Sequence, residues 1–345
     1  MPLLVKKGLY NMDLYHIPGD NQKSWREHKF IQYVMGSTTG ADTWLLRSLA
    51  DIHKLDLDER IWLCWLHTCC NCESTAWLLY QLLDYRSIKK SEVSALWDSD
   101  RNKLVFVTDR IYVKSNNEFV NLIGKFVKHT HRQPQNLLHE FDTFSDLYNE
   151  LCTWRYMGRY STELFLEAIV TVTGQDIQPD TQDFDFDQGR TMTSGLLNTL
   201  YLDDIANAFD NGVPLDQDTK EKLTKYLPVL HKRFMKTAGL NITLSQLTPK
   251  LCSWRKLFKG QRYGTYYIDR QLKCLTQLES YYPDKKQVWD QIYEARKVLF
   301  DPSVLGELYG RKGIQPGKNQ LFLQTGSTGF EKVEKPLWNT KLLHI

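Results

Sequence analysis

Apolar residues recur at helical spacing along most of the chain. In the segment ADTWLLRSLADIHKL, the residues Trp44, Leu45, Leu49 and Ile52 fall on one face of a helix. Either Asp56 or Asp58 is placed to cap the next helix, and the segment DERIWLCWLHTCCNCESTAWLLYQLLDY continues at the same period. The pattern therefore predicts two helices joined by a short acidic turn.

The second half of the chain has the same helical spacing, interrupted by glycines and by an acidic loop. The segment FDTFSDLYNELCTWRYMGRYSTELFLEAIVTVTG predicts a helix, a corner at Gly158, and a second helix capped by Ser161 or Thr162. The acidic, proline-bearing loop that follows leads into another helix near Thr193 or Ser194. The segment KLVFVTDRIYVK is rich in β-branched residues and is compatible with a strand.

These patterns predict a mainly α protein, a large multi-helix body with few or no strands. One body and two interlocked helical lobes are both admissible at this length, because 345 residues with 42% hydrophobic side chains can bury a sizeable core. We predict an N-terminal helical lobe over 1–133, a helical lobe with the catalytic part over 134–310, and a surface tail over 311–345.

The charge and the motif content exclude several classes of protein. The net charge of +3 excludes a histone-like polycation, although it leaves room for a local basic groove. The sequence contains no P-loop and no GxSxG, HExxH or GxGxxG motif, so the common routes to ATP hydrolysis, zinc proteolysis and nicotinamide chemistry are excluded. No apolar run reaches about 18 residues, so we predict no membrane span.

The seven cysteines have no spacing typical of a disulfide framework, which favours reduced thiols. Four of them lie with His67 in CWLHTCCNC, a segment of an apolar helical run. This segment lacks the two separated Cys-x-x-Cys pairs of a structural zinc site. We therefore predict core cysteines and no metal site.

Two similar motifs carry the candidate chemistry. LCTWRYMGRYSTELFLEAI and LCSWRKLFKGQRYGTYYIDRQL both read Leu-Cys-(Thr/Ser)-Trp-Arg and then, after a glycine, reach Arg-Tyr. The arginine fork matches phosphate oxygens and aromatic rings stack on unpaired bases, so the combination is typical of a nucleic-acid groove or a phosphate pocket. For Trp154 or Trp254 taken singly, we predict packing in the core; for the grouped arginines we predict function.

A third basic stretch, KFVKHTHRQ, contributes Lys125, Lys128 and Arg132. Its histidines have no carboxylate or thiol beside them to complete a set of metal ligands. The stretch therefore favours contact with a DNA backbone over a metal site.

The motifs together resemble a known family. The order Trp-Arg-x-x-Gly-Arg-Tyr, then an acidic loop into Gly-Arg-Thr-Met-Thr-Ser-Gly-Leu-Leu, then Gly-Gln-Arg-Tyr-Gly-Thr-Tyr-Tyr-Ile-Asp is similar to the phage amino acid:DNA transferases, first described as α-glutamyl/putrescinyl-thymine pyrophosphorylases. The resemblance covers roughly residues 25 to 300. It implies a helical enzyme that acts on phage DNA carrying 5-(pyrophosphoryloxymethyl)uracil and replaces the pyrophosphate with the amine of an amino acid, often glycine or serine.

The resemblance also implies the partners. These are double-stranded DNA bearing a modified thymine and a free amino acid, with no membrane, in the cytoplasm of the infected bacterial host. The sequence requires no cofactor, and a Mg²⁺ ion accompanying the pyrophosphate is left open, as are the donor amino acid and the oligomeric state.

The residues expected in this site fall into three groups. The catalytic group, for proton transfer and for holding pyrophosphate and base, is Asp187, Asp269, Arg262 and Tyr263. The substrate-binding group is Arg155, Arg159, Tyr160, Arg190, Ser194, Arg255 and Tyr266. The DNA-binding group is Lys125, Lys128, Arg132, Lys256 and Lys259.

Three alternatives remain open. The same basic grooves suit a non-catalytic DNA-binding protein, and the helical composition suits a glycosylase-like enzyme that processes bases. Addition of a cysteine to the pyrimidine is a further route, because Cys152 and Cys252 lie in the motifs, although packing is the simpler role for both.

Overall fold

The structure is a computed structural model that describes residues 22–36, 40–107, 116–141, 143–175, 177, 186–187, 189–239, 242, 244–259 and 266–300. Of these described residues, 77% are helical and none forms a β-strand, which confirms the prediction of a mainly α fold. In the candidate strand KLVFVTDRIYVK, residues 103–107 are irregular and the rest lies outside the described residues.

In the described part of the chain, fifteen α-helices follow one another, with a short 3₁₀ helix at Pro283–Lys285. They are α1 (Gln22–Gly36), α2 (Ala41–Ile52), α3 (Leu57–Cys70), α4 (Glu73–Leu82), α5 (Lys90–Asp100), α6 (Asn116–His129), α7 (Asn136–His139), α8 (Phe144–Thr153), α9 (Arg159–Thr173), α10 (Arg190–Thr199), α11 (Asp203–Asp210), α12 (Gln217–Ala238), α13 (Leu244–Phe258), α14 (Tyr266–Tyr281) and α15 (Lys286–Leu299). Within the described ranges, none of these helices has the length and apolar character that crossing a membrane requires.

The helices belong to two compact units that alternate along the chain. The first unit takes its described residues from Met1–Gly40 and Gln182–Asp269, and the second from Ala41–Thr181 and Arg270–Gly313. The boundary predicted at residue 133 lies inside the second unit. The predicted division of the chain into these lobes stays a prediction.

Local sequence signals explain where several helices begin and end. Asp56 caps α3 by accepting from the backbone N–H of Glu59, whose side chain in turn accepts from the N–H of Asp56, so the predicted cap is confirmed. The run after it was expected to stay helical, and this prediction is wrong at one point. Asn71 takes a left-handed conformation (φ 50°) and separates α3 from α4.

Two other helices begin before the residues that were expected to cap them. Helix α9 begins at Arg159 with Gly158 as its cap, and the N–H of Thr162 already donates to the Gly158 carbonyl at 3.0 Å. Helix α10 begins at Arg190 rather than near Ser194. In both cases a glycine replaces the polar cap that the sequence pattern favoured.

The core of the first unit is built where α10 packs against α13. Gly195 faces the backbone of Leu251 so closely that a Cβ atom there would lie 2.1 Å from the Leu251 carbonyl oxygen. Trp254 is fully buried, and its ring meets the edges of Phe30 and Phe258 at centroid distances of 5.8 and 4.9 Å. The prediction that Trp254 packs in the core is confirmed.

The core of the second unit is aromatic and centres on Trp65. The Trp65 ring stacks on Phe126 at a centroid distance of 4.8 Å and meets Trp154 and Phe165 at 5.6 and 5.1 Å. Trp154 is 3% exposed, so its predicted packing is confirmed as well. The cysteines of CWLHTCCNC are buried free thiols, as expected.

Candidate functional site

A cleft of about 690 Å³ opens in the second unit between the start of α5, the helix α6 and the chain that follows α8. Its apolar floor includes Val93, Val120 and Ile123. Six cationic side chains surround this floor, namely Lys89, Lys90, Lys125, Lys128, Arg132 and Arg155. We refer to these residues and the space between them as the basic cleft.

The basic cleft carries positive charge without compensation from its own walls. All six cations are exposed, and the described residues of the lining include no carboxylate. A concave surface with charges of one sign raises the local concentration of the opposite ion. The basic cleft is therefore suited to an anion, and lysine and arginine are the side chains that bind phosphate.

Helix α6 places two of these cations side by side. Lys125 and Lys128 are three positions apart, so both project from one face near the helix C-terminus. The negative end of the helix dipole stabilises cations there. The predicted grouping of these lysines on one surface follows directly from their spacing.

Arg132 is held in place by backbone carbonyls. Its Nη1 and Nη2 atoms donate to the carbonyl oxygens of Tyr85 and Ile88, each at 3.0 Å. Both His131 (φ 51°) and Arg132 (φ 64°) take the left-handed conformation, which costs roughly 1–3 kcal/mol per residue outside glycine. This conformation turns the chain away from α6 directly after its basic face.

The first Trp-Arg motif forms another wall of the basic cleft. Trp154 donates through Nε1 to Glu150 at 2.7 Å, and the Lys125 ammonium lies 5.2 Å from the centre of the Trp154 ring. Arg155 is exposed, with its guanidinium 5.0 Å above the ring centre of Tyr156. Buried Trp154 thus positions Lys125 through a cation–π contact. Arg155, the next residue in the chain, lines the same cleft.

The second Trp-Arg motif has a different setting, inside α13 of the first unit. Ser194 donates to one oxygen of Asp210 at 2.6 Å, and Arg255 donates to the other through Nε and Nη2 at 2.9 and 2.8 Å. Lys259 forms an ion pair with the same carboxylate. Burial by itself raises the pKa of Asp210, but hydrogen bonds from Lys259, Ser194 and Arg255 outweigh it and hold the pKa below its ordinary value.

Arg255 is buried and satisfied by protein oxygens. It is 2% exposed, and beyond Asp210 it donates to the side-chain oxygens of Asn198 and Asn207 at 3.0 and 2.7 Å. These contacts join α10, α11 and α13, so Arg255 has a structural role in the first unit. The predicted contact of Arg255 with substrate stays a prediction.

The other predicted residues with described side chains are more scattered. Arg159 donates to Glu163 within α9 at 3.0 Å, and Asp187 is exposed and paired with Lys220 at 2.5 Å. The remaining four are Tyr160 at 39% exposure, Arg190 exposed at the start of α10, Lys256 in the last turn of α13, and Tyr266 at the start of α14.

Three members of the predicted catalytic group have no described side chain. Arg262 and Tyr263 lie outside the described residues. Asp269 belongs to α14, and its side chain is likewise outside the described part. Their proposed roles stay predictions.

Lys89 and Lys90 line the basic cleft at the start of α5, and neither was predicted from the sequence. The adjacent pair in the segment SIKKSE was a usable signal, because two lysines at a helix start are unfavourable for the helix dipole. Such a placement suggests that the positive charge serves another purpose there.

A comparison with known proteins finds an informative similarity. A protein of Salmonella phage ViI named serinyltransferase is 24% identical to this chain over 296 residues, covering 78% of this chain and 71% of that protein. No protein-family model matches the chain.

Proposed function

We propose that this protein is a phage transferase that joins an amino acid to a phosphate-activated thymine base in DNA. Two independent lines support the proposal. One is the similarity to the phage protein named serinyltransferase, over most of both chains. The other, which carries the site assignment, is the basic cleft with its six cations and no described carboxylate.

In this proposal the basic cleft binds phosphates of the DNA backbone. Lys125, Lys128 and Arg132 face the cleft from one side and Arg155 from another, so several phosphate oxygens can be contacted together. Fixed cations of this kind neutralise phosphates and position the duplex. Arg132 is suited to fixed contacts because two carbonyls already orient its guanidinium.

The proposed reaction is a displacement at the 5-methylene carbon of the modified uracil. The uncharged amine of the amino acid forms a C–N bond to this carbon, and the C–O bond to pyrophosphate breaks. The pyrophosphate leaves with the electron pair of that bond, and the new ammonium loses one proton. A carboxylate such as Asp187 or Asp269 is proposed to accept a proton from the incoming ammonium.

Serine is the amino acid we propose first, because the phage relative is named serinyltransferase. Glycine is the second candidate, given the resemblance of the motifs. Arg190, at the start of α10, is proposed to bind the amino-acid carboxylate, since a cation beside a helix N-terminus favours an anion.

The test is to incubate the full chain with DNA containing 5-(pyrophosphoryloxymethyl)uracil and an equimolar mixture of serine, glycine and alanine. The DNA is then digested and the nucleosides are analysed by mass spectrometry, with released pyrophosphate measured in parallel. We expect one new thymidine derivative that has gained one amino acid, with one pyrophosphate released for each. DNA binding without a new nucleoside would indicate a binding protein, and loss of the base would indicate a glycosylase.

A further inference from the structure

A buried cluster of metal-ligating side chains lies in the second unit, among residues that the basic cleft does not use. Asp42 in α2, His67 in α3 and Glu73 at the start of α4 each place one ligand atom so that all three atoms lie within 4.8 Å of one another. The three residues are 8%, 0% and 1% exposed. They come from three successive helices, so the fold brings them together.

Most polar side-chain atoms of these three residues lack hydrogen-bond partners among the described residues. The unsatisfied atoms are Oδ1 of Asp42, both ring nitrogens of His67, and both carboxylate oxygens of Glu73. Buried polar atoms in native proteins are nearly always paired, and each exception calls for an explanation such as an ion. One nitrogen of a neutral imidazole carries a proton, so four of these atoms offer lone pairs, and on three converging residues they point to a missing partner that accepts lone pairs.

The charges of the cluster are also compatible with another cation. Arg270 forms an ion pair with Oδ2 of Asp42 and lies 3.9 Å from Oε2 of Glu73. One guanidinium faces two carboxylates, so one formal negative charge is left if both acids are ionised. A buried charge that is not compensated is strongly unfavourable.

We propose that Asp42, His67 and Glu73 bind one divalent transition-metal ion. An imidazole nitrogen with two carboxylate oxygens suits Mn²⁺, Fe²⁺ or Zn²⁺, whereas Mg²⁺ and Ca²⁺ prefer oxygen ligands alone. The metal takes Oδ1 of Asp42, one ring nitrogen of His67 and an oxygen of Glu73. Arg270 keeps the other oxygen of Asp42 and so orients that ligand, as hydrogen-bond partners of metal ligands do.

The geometry needs only a small adjustment to accept the ion. Ligand atoms at about 2.0–2.2 Å from a metal lie roughly 3–4 Å from each other. The observed limit of 4.8 Å between the cluster's atoms is slightly wider, so binding of the ion would draw the side chains closer together. The neutral form of His67 supplies the lone pair for the metal.

The test uses the full chain, stripped of metal with a chelator and titrated with Co²⁺, which reports its ligands by visible absorption. We expect one Co²⁺ per chain, displaced by an equimolar amount of Zn²⁺. His67→Gln and Glu73→Gln are each expected to weaken Co²⁺ binding at least tenfold. His53→Gln, the same substitution in the same unit but outside the cluster, is the control and should bind like wild type.

Thermal unfolding of the same variants with and without metal gives a second measurement. Wild type and His53→Gln should gain melting temperature on addition of Zn²⁺, and Glu73→Gln should not. The proposal is overturned if wild type binds no stoichiometric Co²⁺, or if both cluster variants bind it as tightly as wild type. Should the cluster variants fail to fold, the wild-type titration alone decides, and absence of a one-to-one complex refutes the site.

Discussion

The Lys125 ammonium lies 5.2 Å from the centre of the Trp154 ring, so a cation of the basic cleft rests against an aromatic anchor of the core. Trp154 in turn packs on Trp65 at a centroid distance of 5.6 Å. The charged wall of the cleft is thus tied to the aromatic core of the second unit. This arrangement favours a preformed anion site over one assembled on binding.

The first prediction concerns the salt dependence of DNA binding. The slope of log K against log salt is negative, and each neutralised phosphate contributes about −0.9 to it. If Lys125 and Lys128 each contact one phosphate, replacing both with glutamine should make the slope shallower by about 2. Binding to duplex DNA is measured between about 50 and 200 mM salt. Arg101→Gln, at the far end of α5 from Lys90, is the matched control.

An unchanged slope in the lysine variant would mean that DNA contacts another face. Arg101→Gln removes one cation rather than two, so a change of half that size in this variant would mean that overall charge, rather than the basic cleft, sets the affinity.

The second prediction contrasts two helical glycines. Gly195→Ala should destabilise the first unit by about 1–3 kcal/mol or more, because the new Cβ would meet the Leu251 carbonyl oxygen at 2.1 Å. Gly124→Ala should stabilise by about 0.5–1 kcal/mol, because its Cβ would have only an ordinary 3.9 Å contact with Lys90 and alanine is the better helix former. Urea unfolding of both variants measures the difference, and a Gly195→Ala variant at least as stable as wild type would contradict the close approach of α10 to α13.

The third prediction is a pH dependence centred on Asp210. The pKa of Asp210 is lower in the folded state than in the unfolded state, where it is about 3.9. The ionised Asp210 therefore stabilises the fold at a pH above the unfolded pKa, and this contribution is lost as the pH falls through the folded pKa. Asp210→Asn should therefore cost about 3–5 kcal/mol at pH 7, because the buried Arg255 loses its charged partner. The difference from wild type should shrink below about pH 4.

Asp187→Asn is the control for this experiment, because Asp187 is exposed and forms a surface ion pair with Lys220. Surface pairs contribute about 0–1 kcal/mol, so this variant should unfold almost like wild type. A gap between Asp210→Asn and wild type that stays constant from pH 7 to pH 3 would show that the charge of Asp210 is not what stabilises the network.

The sequence predicted the helical class and some local ends well, because these depend on short-range signals. The apolar spacing around Trp44 and the cap at Asp56 are read from neighbouring residues. The break at Asn71 was missed because helical periodicity continues across it, and a single left-handed residue leaves the pattern almost unchanged.

The site was harder to predict because its parts come from distant positions. Arg255 has the sequence pattern of a basic surface residue, yet its partners Asn198, Asn207 and Asp210 on two other helices bury it. Local spacing placed Lys125 beside Lys128, but tertiary packing alone brings Arg155 to the same cleft. The similarity of the two Trp-Arg motifs also concealed their different settings, since Trp154 ends a helix and Trp254 lies within one.

The most direct test of the account measures amino-acid transfer by the variants of the basic cleft. The rate of formation of the modified nucleoside is compared between wild type, the Lys125→Gln/Lys128→Gln double variant and Arg101→Gln, on pyrophosphorylated DNA with serine at one fixed salt concentration. If the cleft holds the phosphates of the reacting DNA, kcat/KM should fall at least tenfold in the double variant, which is about 1.4 kcal/mol of transition-state stabilisation, and stay near wild type in Arg101→Gln. A double variant that transfers serine at the wild-type rate would contradict the assignment of the basic cleft to this reaction.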